Sequence, residues 1–293
     1  MKKFFKVFFY CTGFAALCIV MQFIAAIPVS AAYIFLKSFQ YALSGNPELA
    51  MNLDLMTVVN DILMPSYILS AILTFFSAWI IHAVFRRKFF ERLSLNRTSP
   101  VYTAVSFLAG CAMQMPLSFI ITLVEKTGIA PDLFEEYTQH VEQLMSNQNT
   151  VLQILAVGIM APLIEEIIFR GLILNQLKRN IPATAAILIQ AILFGFVHLN
   201  VVQGTYAFVM AVLMGMLTVW FDSLFVSIAF HMGMNLSGVI LSEFGAGLSD
   251  AAGVIMLAVS FILIPLCIMF LYFKSAKGNS HTPKVNPTEG AGV

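Results

Sequence analysis

An ionisable side chain placed in the hydrocarbon of a bilayer costs at least about 2.5–3.5 kcal/mol and is rarely left there without a partner or a task. In this 293-residue chain, such side chains inside long apolar runs are His82, Glu165, Glu166, Arg170, His198 and His231, with the amide Asn235 beside them. His82 stands near the end of its run next to Arg86, where it can reach the interface, and is set aside. The others form three clusters: Glu165-Glu166-Ile-Ile-Phe169-Arg170, Phe194-Gly-Phe-Val-His198 and His231-Met-Gly-Met-Asn235.

Helical spacing assigns these residues different tasks. Glu166 and Arg170 are four apart and share a face, so an ion pair between them offsets much of the burial cost of each and gives both a structural role. Glu165 lies about 100° around the helix from Glu166 and needs a partner on another helix. His198 and His231 are the candidates. A carboxylate beside an imidazole in a poorly solvated pocket is an arrangement that tunes a general base or binds a metal. His231 and Asn235 are also four apart, and as two donors aimed at one point they suit an oxyanion hole. Phe194, one turn before His198, reads as packing between helices.

The elements that must carry these residues are membrane spans. Hydrophobic residues make up 59% of the chain and charged residues 11%, a balance that needs lipid. A crossing helix takes about 20 largely apolar residues. Windows at roughly 7–35, 60–85, 101–123, 151–175, 181–198, 204–221, 223–242 and 252–273 meet this, which predicts an all-α, polytopic transmembrane bundle of about eight spans. The expected organisation is one transmembrane domain over 1–274, with its chemical core at about 150–245, and a disordered tail over 275–293. Segment 131–149 is amphipathic and predicts a helix outside the spans. No internal repeat stands out.

Net charge is +1 and gives no reason to expect nucleic acid as a partner. The distribution of charge is more telling. Lys2, Lys3, Lys6, Arg86, Arg87, Lys88, Arg92, Arg97, Lys178, Arg179, Lys274, Lys277 and Lys284 fall at alternate ends of the predicted spans. The intervening loop 124–149 is acidic, with Glu125, Asp132, Glu135, Glu136 and Glu142 against Lys126. The positive-inside rule then places both termini in the cytoplasm, most simply in the cell membrane. The first apolar run is too long for a signal peptide's apolar region and reads as a retained anchor. Cys11, Cys18, Cys111 and Cys267 all lie within predicted spans without CxxC spacing and read as buried fillers.

The three clusters, in this order and at membrane depth, resemble the CPBP family of intramembrane proteases. This is also called the Abi or CAAX protease family and includes the type II CAAX prenyl endopeptidases. Its pattern of EExxxR, FxxxH and HxxxN is met at Glu165-Glu166-x-x-x-Arg170, Phe194-x-x-x-His198 and His231-x-x-x-Asn235. The resemblance covers roughly 150–245, and the amino-terminal half contributes only its hydrophobicity.

The resemblance implies an endopeptidase in which Glu165 with His198 activates a water and His231 with Asn235 stabilises the oxyanion, while Glu166 and Arg170 support them. Its substrate would be a peptide or membrane-anchored protein, processed as a CAAX-type or a bacteriocin or leader peptide. Family members are usually labelled metalloproteases, and Glu165, His198 and His231 could supply a zinc set. The alternative is metal-free, with Glu165 as the base; Asn235 is a poor zinc ligand and no HExxH helix is present. Two other readings of the site stand beside this one. One is a non-catalytic membrane protein that binds a peptide or partner, as in bacteriocin immunity or regulation; the other is a transporter using the same groups as a proton relay.

Depth adds a constraint. Counting from the Lys178-Arg179 loop puts Glu165 roughly 20 Å in, whereas His231, about nine residues beyond Asp222, is expected shallower.

Overall fold

The computed structural model describes residues 2–145 and 149–279. Among these there is no strand beyond one isolated bridge, Leu95 with Ser223, and the chain is an all-α, multi-pass membrane bundle. Seven helices are long and apolar enough to cross a bilayer. They are α1 (Lys2–Leu43), α2 (Leu55–Val84), α3 (Pro100–Glu125), α5 (Thr150–Lys178), α7 (Val201–Phe221), α8 (Leu224–Gly247) and α9 (Asp250–Ser275, continuing to Asn279). The amphipathic α4 (Pro131–Met145) lies between α3 and α5, with Phe134 buried. The eighth expected span is α6 (Ala183–Phe196), only 14 residues long.

The tail expected to begin its disorder at 275 is still helical through Asn279; its remainder, 280–293, lies outside the described residues.

Local sequence explains where the helices begin. Asp54 accepts a hydrogen bond from the Thr57 amide at 2.9 Å, Asn149 from Leu152 at 3.1 Å and Asn200 from Gln203 at 3.0 Å. Each supplies a side-chain oxygen to an amide that has no partner inside its own helix.

Packing is closest between α3 and α8, where small residues let two backbones approach. A methyl group added at Gly110 would run into the carbonyl oxygen of Phe230, and one at Gly233 into that of Phe107. Ser106 donates to the Val226 carbonyl at 2.8 Å across the same seam. Helices α6 and α7 meet similarly, for a methyl at Gly195 would lie 2.7 Å from the Gly204 carbonyl oxygen.

The loop between α2 and α3 ties the basic ends of several helices together. Asn96 donates to the Asp222 carboxylate at 2.8 Å, Ser94 donates to it at 3.1 Å, and the Leu224 amide donates to the Ser94 carbonyl at 3.0 Å. Asn175, near the end of α5, donates to the Arg92 carbonyl at 2.9 Å. Arg92, Lys178, Arg179 and Asp222 therefore gather at one end of the bundle, around a shared surface cavity.

His82 is packed between helices. It is 1% exposed, stacked on Phe14, with Nδ1 2.8 Å from the Ala78 carbonyl oxygen and Nε2 3.0 Å from the Tyr10 hydroxyl. Both ring nitrogens find partners inside the α1–α2 pair, so the side chain has no need to extend toward Arg86.

Candidate active site

Helix α5 is not a uniform α-helix. Its first turn, Thr150–Gln153, passes into a π-helical stretch, Ile154–Met160, returns to α geometry over Ala161–Glu166, and widens again over Ile167–Leu174. Such i→i+5 turns are rare and concentrate at functional sites. Here they flank the two glutamates on both sides.

Arg170, Glu166, His231 and Glu165 form a chain of polar contacts. Arg170 donates from Nη1 to Glu166 Oε1 at 2.7 Å, with both side chains wholly buried. His231 Nδ1 lies 3.0 Å from the same oxygen. A carboxylate paired with a guanidinium only accepts, so Nδ1 is the donor, and this fixes the orientation of the ring. The other ring nitrogen, Nε2, then faces Glu165 Oε2 at 3.7 Å.

His231 thus stands between both glutamates. The two carboxylates, adjacent in sequence, converge on the two ring nitrogens of one imidazole. Glu166, expected only to pair with Arg170, also holds His231. The counted difference in depth between Glu165 and His231 closes as well, since the two side chains meet at 3.7 Å.

His198 lies in the four-residue connection between α6 and α7. Its Nδ1 is 2.7 Å from the Phe194 carbonyl oxygen, and since a carbonyl only accepts, Nε2 is left as the acceptor nitrogen. Phe194 is 2% exposed and joins the cluster together: the Arg170 guanidinium lies 4.5 Å over its ring, Phe169 is edge-on at 5.0 Å, His198 at 4.8 Å and His231 at 5.9 Å. Asn235 donates through Nδ2 to the Val157 carbonyl at 2.9 Å, which occupies one of its two N–H bonds. That carbonyl belongs to the π-helical stretch of α5.

Glu165, His198, His231 and Asn235 all line one cavity of about 270 Å³. Glu165 keeps 24% of its side chain accessible, while Glu166 beside it keeps none. Among the described residues, no three His, Cys, Asp or Glu side chains are grouped closely enough to hold one metal ion. Glu165, His198 and His231 share the cavity without forming a three-ligand set.

The cavity also draws on residues outside the three clusters. Cys18 and Gln22 from α1, Tyr67 from α2, His140 from α4, and Gln203 and Tyr206 from α7 line it. The amino-terminal half therefore does more than supply hydrophobicity, since it walls the site. Gln22, Tyr67 and Gln203 carry no charge that would mark them inside apolar runs, and His140 stands in the amphipathic segment. Burial holds the His140 imidazole below the ordinary histidine range, with Glu136 pulling the other way. A second cavity of about 640 Å³ shares His140, His198 and Leu199 with the first and continues it outward past Glu136 and Glu142.

Residues 147–237 match the family model described as Type II CAAX prenyl endopeptidase Rce1-like. No curated protein and no solved structure matches the chain.

Proposed function

From the premise that the chain carries an Rce1-like domain of the type II CAAX prenyl endopeptidase family at residues 147–237, we propose that it hydrolyses a peptide bond of a membrane-associated protein or peptide at the Glu165 cavity. The observation that carries this reading is the ordered chain from Arg170 through Glu166 and His231 to Glu165, ending at a cavity that His198 and Asn235 also face.

In this reading Glu165, the accessible carboxylate, is the general base. It takes a proton from a water that His198 Nε2 helps to orient, and the water oxygen attacks the scissile carbonyl carbon. The remaining N–H of Asn235, joined by His231 Nε2 when that nitrogen also carries a proton, holds the negative charge that develops on the carbonyl oxygen. The protonated Glu165 then returns its proton to the leaving amine as the C–N bond breaks. Glu166 and Arg170 hold His231 in place and do not touch the substrate. The substrate is of CAAX type or a leader or bacteriocin precursor, and both termini of the protease lie in the cytoplasm.

The test is cleavage of a membrane-anchored peptide by the purified protein in bilayers. Glu165→Gln and His198→Ala should each lower the rate by about 10²–10⁴-fold, the usual contribution of a positioned acid or base. Both variants should remain folded in detergent. Cleavage at the wild-type rate by both would remove this assignment.

A further inference from the structure

A peptide brings donors as well as acceptors into a site that cleaves it. The scissile carbonyl accepts from His231 and Asn235 in the reading above, but the backbone N–H groups of the bound chain also leave water and need acceptors. Glu165 and His198 are committed to the attacking water. The cavity must offer another acceptor if the peptide is to be held in one register.

Gln203 supplies one. It lines the Glu165 cavity, and its Oε1 is buried with no hydrogen-bond partner among the described residues. Buried acceptors are rarely left bare in a native fold unless a ligand or water completes them. The mount of this side chain is rigid. The Gln203 amide donates to Asn200 Oδ1 at 3.0 Å, the Gly204 amide donates to the Asn200 carbonyl at 2.7 Å, and the Gly195–Gly204 approach pins this first turn of α7 to α6. An acceptor carried on so fixed a turn is not bare through local disorder.

Its position gives it a direction. Gln203 lines the inner cavity, whereas Asn200, one turn earlier, lines the outer one, and His198 borders both. Gln203 therefore belongs to the stretch of wall between the Glu165 carboxylate and the outer chamber. In an extended peptide the N–H and C=O of one residue point to the same side. A primary amide carries a donor and an acceptor that match this edge.

We propose that Gln203 is a substrate-binding residue whose side-chain amide receives a backbone N–H of the peptide, on the part of the chain that runs from the scissile bond toward the outer chamber. This rests on the endopeptidase reading above and adds to it that the site holds its substrate extended and reads the main chain there. Specificity at that residue comes from conformation and not from its side chain.

The experiment compares a cleavable membrane-anchored peptide with analogues in which one backbone N–H at a time, on either side of the scissile bond, is replaced by an ester oxygen. Wild type should lose about tenfold in kcat/KM for the analogue at one position, the effect of one hydrogen bond to a buried partner. Gln203→Leu should lose a similar factor on the all-amide peptide and nothing further on that analogue. Gln203→Glu, which keeps an acceptor at the same reach, should retain the preference for amide over ester.

Equal losses by Gln203→Leu on the amide and on every ester would overturn the proposal, because a merely structural role affects all substrates alike. So would a wild-type enzyme indifferent to every ester, a result that does not depend on the folding of any variant. If wild type cleaved none of the peptides, the endopeptidase reading would fall first and this proposal with it.

Discussion

His231 carries a carboxylate against each of its ring nitrogens, and the roles of the two carboxylates differ because one is paired and the other is accessible. Arg170 makes Glu166 an anchor; Glu165 has no guanidinium against it and faces the cavity. Removing the cation should therefore damage the site through the anchor. Arg170→Met leaves the Glu166 charge buried without its partner, which costs about 3–5 kcal/mol where such pairs have been broken. Thermal unfolding in detergent should show that loss, and cleavage should fall as His231 loses its orientation. Arg170→Lys should recover only part of either, since an ammonium cannot present the planar guanidinium face that lies over Phe194. Spacing made the pairing of Glu166 with Arg170 legible, along with the need of Glu165 for a partner on another helix. It did not reveal that one imidazole would serve both glutamates, because this depends on how α8 docks against α5. Gln203 and Tyr67 were illegible for a different reason: a polar side chain that hydrocarbon can tolerate at moderate cost carries no mark in a single sequence, and His140 is one polar residue among many on the amphipathic α4.

The helices that hold these residues depend on a few positions without side chains. Gly233 lies two residues from His231 on α8, where a methyl group would meet the Phe107 carbonyl oxygen of α3. Gly233→Ala must push the two helices apart. We expect a loss of about 1–3 kcal/mol, the usual range for overpacking, with a fall in cleavage because His231 moves with α8. Gly253→Ala is the control, as nothing lies within 4 Å of the added carbon. Melting temperatures of the two variants in the same detergent would check this, and equal behaviour would count against the α3–α8 seam. Composition and run length were enough to read seven long apolar helices and the amphipathic α4. They could not show that the window 181–198 yields a helix of only 14 residues, since apolar residues continue into the connection that carries His198. The π turns of α5 were equally invisible.

Across the whole molecule, charge and cavity are placed at different ends. Arg92, Lys178 and Arg179 collect around the corner at Asp222, while the two joined cavities lead from Glu165 past His140 to Glu136 and Glu142 on α4. If the basic end is cytoplasmic, single cysteines in a background lacking the native four should divide by side. Ser44→Cys and Gln139→Cys should react with a membrane-impermeant maleimide on intact cells, and Lys88→Cys only after permeabilisation. The reverse pattern would invert the topology and bring the outer chamber to the cytoplasm. The brevity of α6 has a consequence for the connection that follows it. Fourteen residues rise about 21 Å against a hydrocarbon core of about 30 Å, and Leu188, Ile189, Ile192 and Phe196 face outward along it. A helix this short that starts at one face of such a core ends about 9 Å before the other. The connection that carries His198 is thereby drawn into the depth of the membrane, where irregular backbone is tolerated only against protein or a water-filled cavity, and it borders both chambers.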